Sequence, residues 1–309
     1  MNHLTPTVYN THFQNVSFWK RPVAASFLAC LLAAGITACG GGGGTDTNSG
    51  NPPASTPEVP PASLITAGAY VGTLAGKSDN LPKEWVTFLL PTEPSSGGLT
   101  KFYALHYDDA NPDIYSGTGQ ITGTSSASLS QIAFYPYLAT SVRTGTGTLS
   151  SLRAGEIRAS LNFPSTSSAN ALVINNLDHS FPTGYVYNTP ASLDSVQGNW
   201  QGNLSYGSGS SGAFNISISS TGLFSSSMSF LGDCQFSQGA LTPNFDGTHL
   251  YKLTVSIPSA TLCTQSNLGG KAITGAAFVT KSPVAGKTQR LYLVGITSDG
   301  RGISFKADR

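Results

Sequence analysis

The sequence predicts an all-β protein: two tandem antiparallel β-barrel or β-sandwich units behind a disordered tether. Three observations predict it. Short runs of alternating apolar and polar residues are separated by Gly, Ser, Thr and Asp turn signals. No stretch keeps the helical period over three turns, and one short motif recurs 130 residues further along the chain. Composition agrees, since only 10% of the 309 residues are charged, against roughly 25% in an average globular chain.

The repeat comes first, because a missed duplication misplaces every later element. Gly68-Ala69-Tyr70-Val71-Gly72-Thr73-Leu74 returns as Gly198-Asn199-Trp200-Gln201-Gly202-Asn203-Leu204. The same offset maps Thr144-Gly145 onto Thr274-Gly275, and an offset of 131 maps Ala154-Gly155 onto Ala285-Gly286. These matches place one β unit at 66–178 and a second at 196–309, joined by a linker over 179–195. At about 113 residues each, the units are long enough for seven or eight strands and a core of their own.

Hairpins fill the units. Ala213–Ile218 and Leu223–Phe230 flank a turn at Ser219–Gly222, and Leu291–Ile296 and Ile303–Phe305 flank another at Ser298–Gly300. Asp246-Gly247 marks a further tight turn. The Gly-x-Tyr and Gly-x-Trp openings resemble the calycin group, meaning lipocalins and avidin-like barrels. That resemblance implies a barrel with one end closed by the aromatic residue, and a ligand cavity inside.

The first forty residues have a different character. Met1 to Arg21 carries no acid, Lys20-Arg21 precedes an apolar run over Val23–Ala34, and Ile36-Thr37-Ala38-Cys39 follows. The apolar run is shorter than the ~20 residues needed to span a bilayer as a helix, so an export signal over 1–38 is expected. Ile36-Thr37-Ala38-Cys39 resembles the lipobox of bacterial lipoproteins. The resemblance implies cleavage before Cys39, a diacylglycerol thioether on its sulfur, and a fatty acid such as palmitate on its freed amine. Cys30, after Phe27-Leu28-Ala29, fits the pattern less well. Gly40, rather than Asp, follows the lipidated position, which by the same resemblance favours the outer membrane, facing either the periplasm or the exterior.

Residues 39–65 run from five glycines into a Pro-rich stretch with nothing to bury. As a flexible leash of about 27 residues they would reach ~30 Å. The body beyond is expected to be soluble, because a barrel that itself crosses the membrane makes a lipid anchor redundant.

A whole-chain charge of +1 argues against nucleic acid as a partner, since phosphate binding needs a concentrated basic excess. The charge is unevenly divided. Residues 66–178 hold six basic and eight acidic residues, while 196–309 hold eight and four. Lys271, Lys281, Lys287, Arg290 and Arg301 fall in the last forty residues. On one face they would attract an envelope glycan, lipid headgroup or acidic protein; strand alternation is expected to scatter them instead.

Cys234 and Cys263 are the cysteines left for pairing after Cys39, and export meets oxidising conditions, so a disulfide between them is expected. Closing that loop would stabilise by ~3–4 kcal/mol. No bound metal or cofactor is expected. Three histidines remain beyond the signal, His106, His179 and His249, without H-E-x-x-H or a close Cys/His set. Surface or linker positions explain them best, and the alternative is an envelope hydrolase using one of them. Asp109-x-Asn111-x-Asp113 begins like a calcium loop, but Ile114 and Gln120 stand where the turn Gly and bidentate Glu belong, so an acidic hairpin is expected. The chain as a whole reads as a non-catalytic binding or envelope-structural protein held to membrane lipid through Cys39.

Overall fold

The computed structural model describes residues 64–75, 82–91, 99–107, 112–135, 142–164, 172–185, 189–206, 210–225, 238–243, 248–258 and 268–309. The expected signal, Cys39, most of the expected tether, the Asp246-Gly247 turn, Cys234 and Cys263 lie outside these residues.

The first eight strands form a closed antiparallel barrel in simple sequence order: β1 Gly68–Ala75, β2 Pro82–Leu89, β3 Leu99–Tyr107, β4 Pro112–Ile121, β5 Ser126–Tyr135, β6 Arg143–Arg153, β7 Glu156–Phe163 and β8 Leu172–Ser180. Val71 and Gly72 of β1 pair with Ser180 and His179 of β8, which closes the ring. The second barrel repeats the order with β9 Gly198–Tyr206, β10 Ser210–Ile218, β11 Leu223–Ser225, β12 Gln238–Thr242, β13 Tyr251–Ser256, β14 Ala272–Lys281, β15 Gln289–Ile296 and β16 Gly302–Asp308. Here β9 pairs with both β10 and β16. Closure removes every free sheet edge, and it decides for barrels over sandwiches. The expected hairpin at 291–305 forms as β15–β16, and of the one at 213–230 the described part forms as β10–β11, residues 226–230 lying outside the described residues.

Two expected boundaries shift. His179 and Ser180 belong to the closing strand rather than to a linker, because their ladder to β1 and β7 needs them. Leu64 and Ile65 belong to the body rather than to a tether: Leu64 donates its N–H to Thr124 O at 2.6 Å, and Ile65 is buried in the barrel 1 core.

The duplicated motifs fall on equivalent positions. Gly68–Leu74 lies on the first strand of its barrel and so does Gly198–Leu204; Gly145 and Gly275 both lie on the sixth strand. Gly155 and Gly286 both turn the sixth strand into the seventh, with φ of +80° and +77°, the left-handed region that glycine enters without steric cost.

Alternation sorts the side chains. On β13, Tyr251, Leu253 and Val255 point into the barrel while Lys252, Thr254 and Ser256 face solvent. On β5, Ala127 and Leu129 are buried between exposed Ser126, Ser128 and Ser130. On these two strands the apolar residues turn inward and the polar ones outward, opposite to a strand of a lipid-spanning barrel, whose outer band is apolar.

Candidate functional site

Barrel interiors come first, since the calycin resemblance implies a cavity there. Barrel 1 is filled by Trp85, Tyr115, Phe134 and Phe163, with Tyr115 and Phe134 stacked at 4.6 Å between centroids. Barrel 2 is filled mainly by aliphatic residues around Phe214, Phe224 and Phe305. Its residual space, between residues such as Leu204, Phe214 and Phe305, is about 10 Å³. That is the lower limit for one water, so this interior is a packed core. The implied ligand cavity is corrected on this point: large side chains, alternating inward from every wall, occupy it.

The aromatic closure does form, and in both barrels. Trp200 Nε1 donates to the carbonyl of Val196 at 2.6 Å, four residues back. Tyr70 OH donates to the carbonyl of Thr66 at 2.6 Å, also four residues back. Over Trp200 lies the Arg309 guanidinium, 4.5 Å from the ring centroid. Arg309 also donates to Ser195 O at 3.0 Å and to the carbonyl of Gln197, tying the chain after β16 to the 3-10 turn Leu193–Ser195 before β9. Over Tyr70 the equivalent position, just after β8, is taken by Phe181, stacked at 4.7 Å. These are eight-stranded antiparallel barrels of calycin-like build.

The barrels are not independent beads. Val86 and Phe88 of β2 and Tyr103, Leu105 and Tyr107 of β3 face outward, yet all are buried. They meet Ala276 and Phe278 of β14 and Tyr292 and Val294 of β15 in one core. Phe88 packs edge-on to Phe278 at 5.3 Å. The joining segment adds Tyr185, which packs on Phe278 and accepts a hydrogen bond from Ala69 N at 3.1 Å. Strands β2, β3, β14 and β15 are thus apolar on both faces, which explains their nearly unbroken hydrophobic runs.

A polar cluster borders this seam. Glu84 of β2 accepts from Lys306 Nζ at 3.0 Å and from the Tyr292 hydroxyl. Lys306 also sits 4.0 Å from the Tyr107 ring centroid. Behind it, Arg290 makes two bonds of 2.9 Å to the Asp308 carboxylate, to which Ser282 donates at 2.6 Å. Burial works to raise the Asp308 pKa, but these donors outweigh it and hold it below the ordinary carboxylate value. Burial, followed by the charge of Glu84, pushes the Tyr292 hydroxyl well up.

Two open clefts flank the seam. One, about 600 Å³, is lined by Glu84, Phe181, Thr183, Lys281, Arg290 and Tyr292 among others. The wider, about 730 Å³, has Lys101, Tyr103, Ser116, Thr118 and Gln131 on the barrel 1 wall and Lys271, Thr274, Ile296 and Ser298 on the barrel 2 wall. Both fall in the size range of small-ligand sites. A third depression, about 660 Å³, lies beside Trp200, Gln201, Asn215, Lys287 and Arg309 at the plugged end of barrel 2.

Gln131 sets the wider cleft apart. Ser130 and Gln131 together oppose Thr146 alone between the pairs Leu129–Gly147 and Ile132–Gly145, which makes a β-bulge. Gln131 has φ of 52°, the one positive φ among described non-glycine residues. Such a position commonly takes glycine, and here it holds an exposed amide at the cleft.

The sequence-based candidates are dispersed. Half-buried His106 stacks on Trp85 at 4.4 Å, its Nδ1 lies 3.5 Å from Asp113 Oδ2, and its buried Nε2 has no hydrogen-bond partner among the described residues. His179 is 3% exposed on β8. His249 packs edge-on to Tyr185 and Tyr251, and burial lowers its pKa. The expectation of surface or linker histidines is therefore corrected for His106 and His179, which the barrel ladders carry inward. Of the calcium-like loop, Asp113 is described, at the start of β4. Among the described residues no group of three His, Cys, Asp or Glu could hold a metal. The basic residues of barrel 2 are scattered: Arg290 pairs with Asp308, Lys271 and Arg301 with Asp299, and Lys281 and Lys287 stand apart at the surface. Glu84, Lys101 and Gln131 went unmarked in the sequence. The glycine opposite the bulge, Gly117, whose added Cβ would meet Ile132 Cα at 3.2 Å, is the nearest thing to a signal.

What the fold defines is a class: a pair of closed eight-stranded antiparallel β-barrels packed along one apolar seam, with open clefts beside it. No family model matches the sequence, and no curated protein matches it. Among solved structures, the chain is similar to a protein of unknown function from the DUF3598 family of Nostoc punctiforme, with 9% identity over 79% of this chain and 95% of that one. The TM-score is 0.23, and a likeness at that level carries no argument.

Proposed function

We propose that the protein is a lipid-anchored outer-membrane lipoprotein whose double-barrel body has a non-catalytic binding or envelope-structural role. One observation carries the binding part. The barrel 2 interior is filled, while two clefts, each walled by both barrels, remain open at the seam. Recognition then belongs to the outside of the fused body. The anchor rests on the lipobox pattern ending in Cys39, and several acyl chains at ~0.8 kcal/mol per buried methylene give a lasting hold on a bilayer. The Gly- and Pro-rich segment after Cys39 supplies the leash, and a Cys234–Cys263 disulfide would staple barrel 2.

Anchor and binding are tested separately. Cys39→Ala should move the protein from the membrane to the soluble fraction and abolish fatty-acid labelling; an unchanged membrane fraction contradicts the anchor. Mature protein used as bait should retain envelope material, and recovery of bait alone from outer-membrane extracts contradicts a binding role.

A further inference from the structure

We propose that the wider cleft binds an acidic oligosaccharide, with Gln131 and Lys101 as its main contacts. The inference rests on the binding role above and names its ligand class. Three features of the cleft point to that ligand.

The first is the bulge. Bulges re-aim side chains, and a glycine at Gln131 would give the same backbone without a left-handed side-chain residue. The retained residue presents a carboxamide, with two donors and a two-lone-pair acceptor, to a cleft open to solvent. Vicinal sugar hydroxyls, each both donor and acceptor, match that group in pairs.

Second, polar groups are spread along both walls. Ser116 and Thr118 lie on one, and Thr274 and Ser298 on the other. A polyol chain carries hydroxyls at similar intervals. Tyr103 and Ile296 give the floor apolar area, but Tyr103 is only 7% exposed. It cannot serve as the projecting aromatic anchor from which protein interfaces draw most of their affinity.

The third feature is charge. Lys101 is exposed at the barrel 1 side, and Lys271 lies across from it with its Nζ 3.3 Å from Asp299. Arg301 shares the same carboxylate at 3.5 Å. Three cations beside one carboxylate leave an excess of positive charge, so a sugar bearing carboxylates is favoured over a neutral one.

Titration calorimetry of the intact chain against tetragalacturonate, maltotetraose, inorganic phosphate and tetraglutamate tests this. Tetragalacturonate should bind, and Lys101→Ala and Gln131→Gly should each weaken it about tenfold, the loss of one charge-assisted or bidentate contact. Gln131→Gly should leave the melting temperature unchanged or raise it, so the lost affinity cannot come from unfolding. Lys287→Ala, outside this cleft, should bind as the parent does. Wild-type affinity in both cleft variants overturns the proposal. So does equal binding of maltotetraose, which removes the charge argument, or of phosphate or tetraglutamate, which would make the cleft a plain anion or acidic-protein site. If the cleft variants still retain envelope material as bait, the cleft is overturned and the binding role stands; if wild-type bait retains nothing, the role itself fails.

Discussion

The two barrels solve one problem with different chemistry. Each closes an end with a first-strand aromatic hydrogen-bonded to the carbonyl four residues earlier. Barrel 2 then caps Trp200 with Arg309, a cation that also satisfies backbone carbonyls. Barrel 1 caps Tyr70 with Phe181, a ring on a ring. The duplicated frame preserves the strand order, the closing position and the i−4 bond, while the capping residue is free to change. What the cap must supply is coverage of the aromatic ring. A guanidinium adds hydrogen bonds to coverage; a phenyl supplies coverage alone.

The largest effect expected from breaking this comparison is at Trp200. Trp200→Ala removes a fully buried ring and its bond to Val196, and should cost about 3–5 kcal/mol by chemical denaturation. Next comes the seam. Phe278→Ala takes out a ring that contacts Phe88, Tyr185 and Tyr292, and should cost about 3 kcal/mol. It should also begin to separate the melting of the barrels, resolved in a calorimetric scan.

Smaller effects sharpen the contrast. Trp200→Phe should cost about 1 kcal/mol more than Trp85→Phe. Trp200 Nε1 is bonded, whereas Trp85 Nε1 is buried with no hydrogen-bond partner among the described residues. Equal costs would mean that the i−4 bond adds nothing. Glu84→Gln should cost roughly 1–2 kcal/mol, because it leaves Lys306 beside the seam without its carboxylate.

The smallest effect is a pH slope. Burial lowers the His249 pKa in the folded protein, so the unfolded chain binds more protons around its ordinary value of about 6.5. Stability from this group is complete above that value and falls as pH drops below it, until pH passes the folded pKa. His249→Gln should flatten the melting temperature between pH 7 and 5 by the share this half-buried group contributes, and an unchanged slope would contradict it.

Much of the fold was legible because short-range chemistry set it. Gly-x-aromatic openings and the Ser219–Gly222 and Ser298–Gly300 turns each act within a few residues, and all appear where expected. The seam was hidden for the opposite reason. Nothing local around Val86, Phe88, Tyr292 or Val294 says that alternate residues of these strands face a second barrel. Gln131 was hidden because Ser130-Gln131-Ile132 continues an ordinary strand pattern, and a bulge depends on register with two neighbouring strands. His106 and His179 were read as surface or linker positions because a polar ring on a strand can be accommodated inward only where partners such as Trp85 lie across the ladder.

The clefts keep their shape only if the seam holds the barrels as one body. Differential scanning calorimetry of the wild-type chain tests that directly. A single transition with equal calorimetric and van't Hoff enthalpies is predicted; two separable transitions in the wild type would show barrels that melt independently and would contradict a fixed site between them.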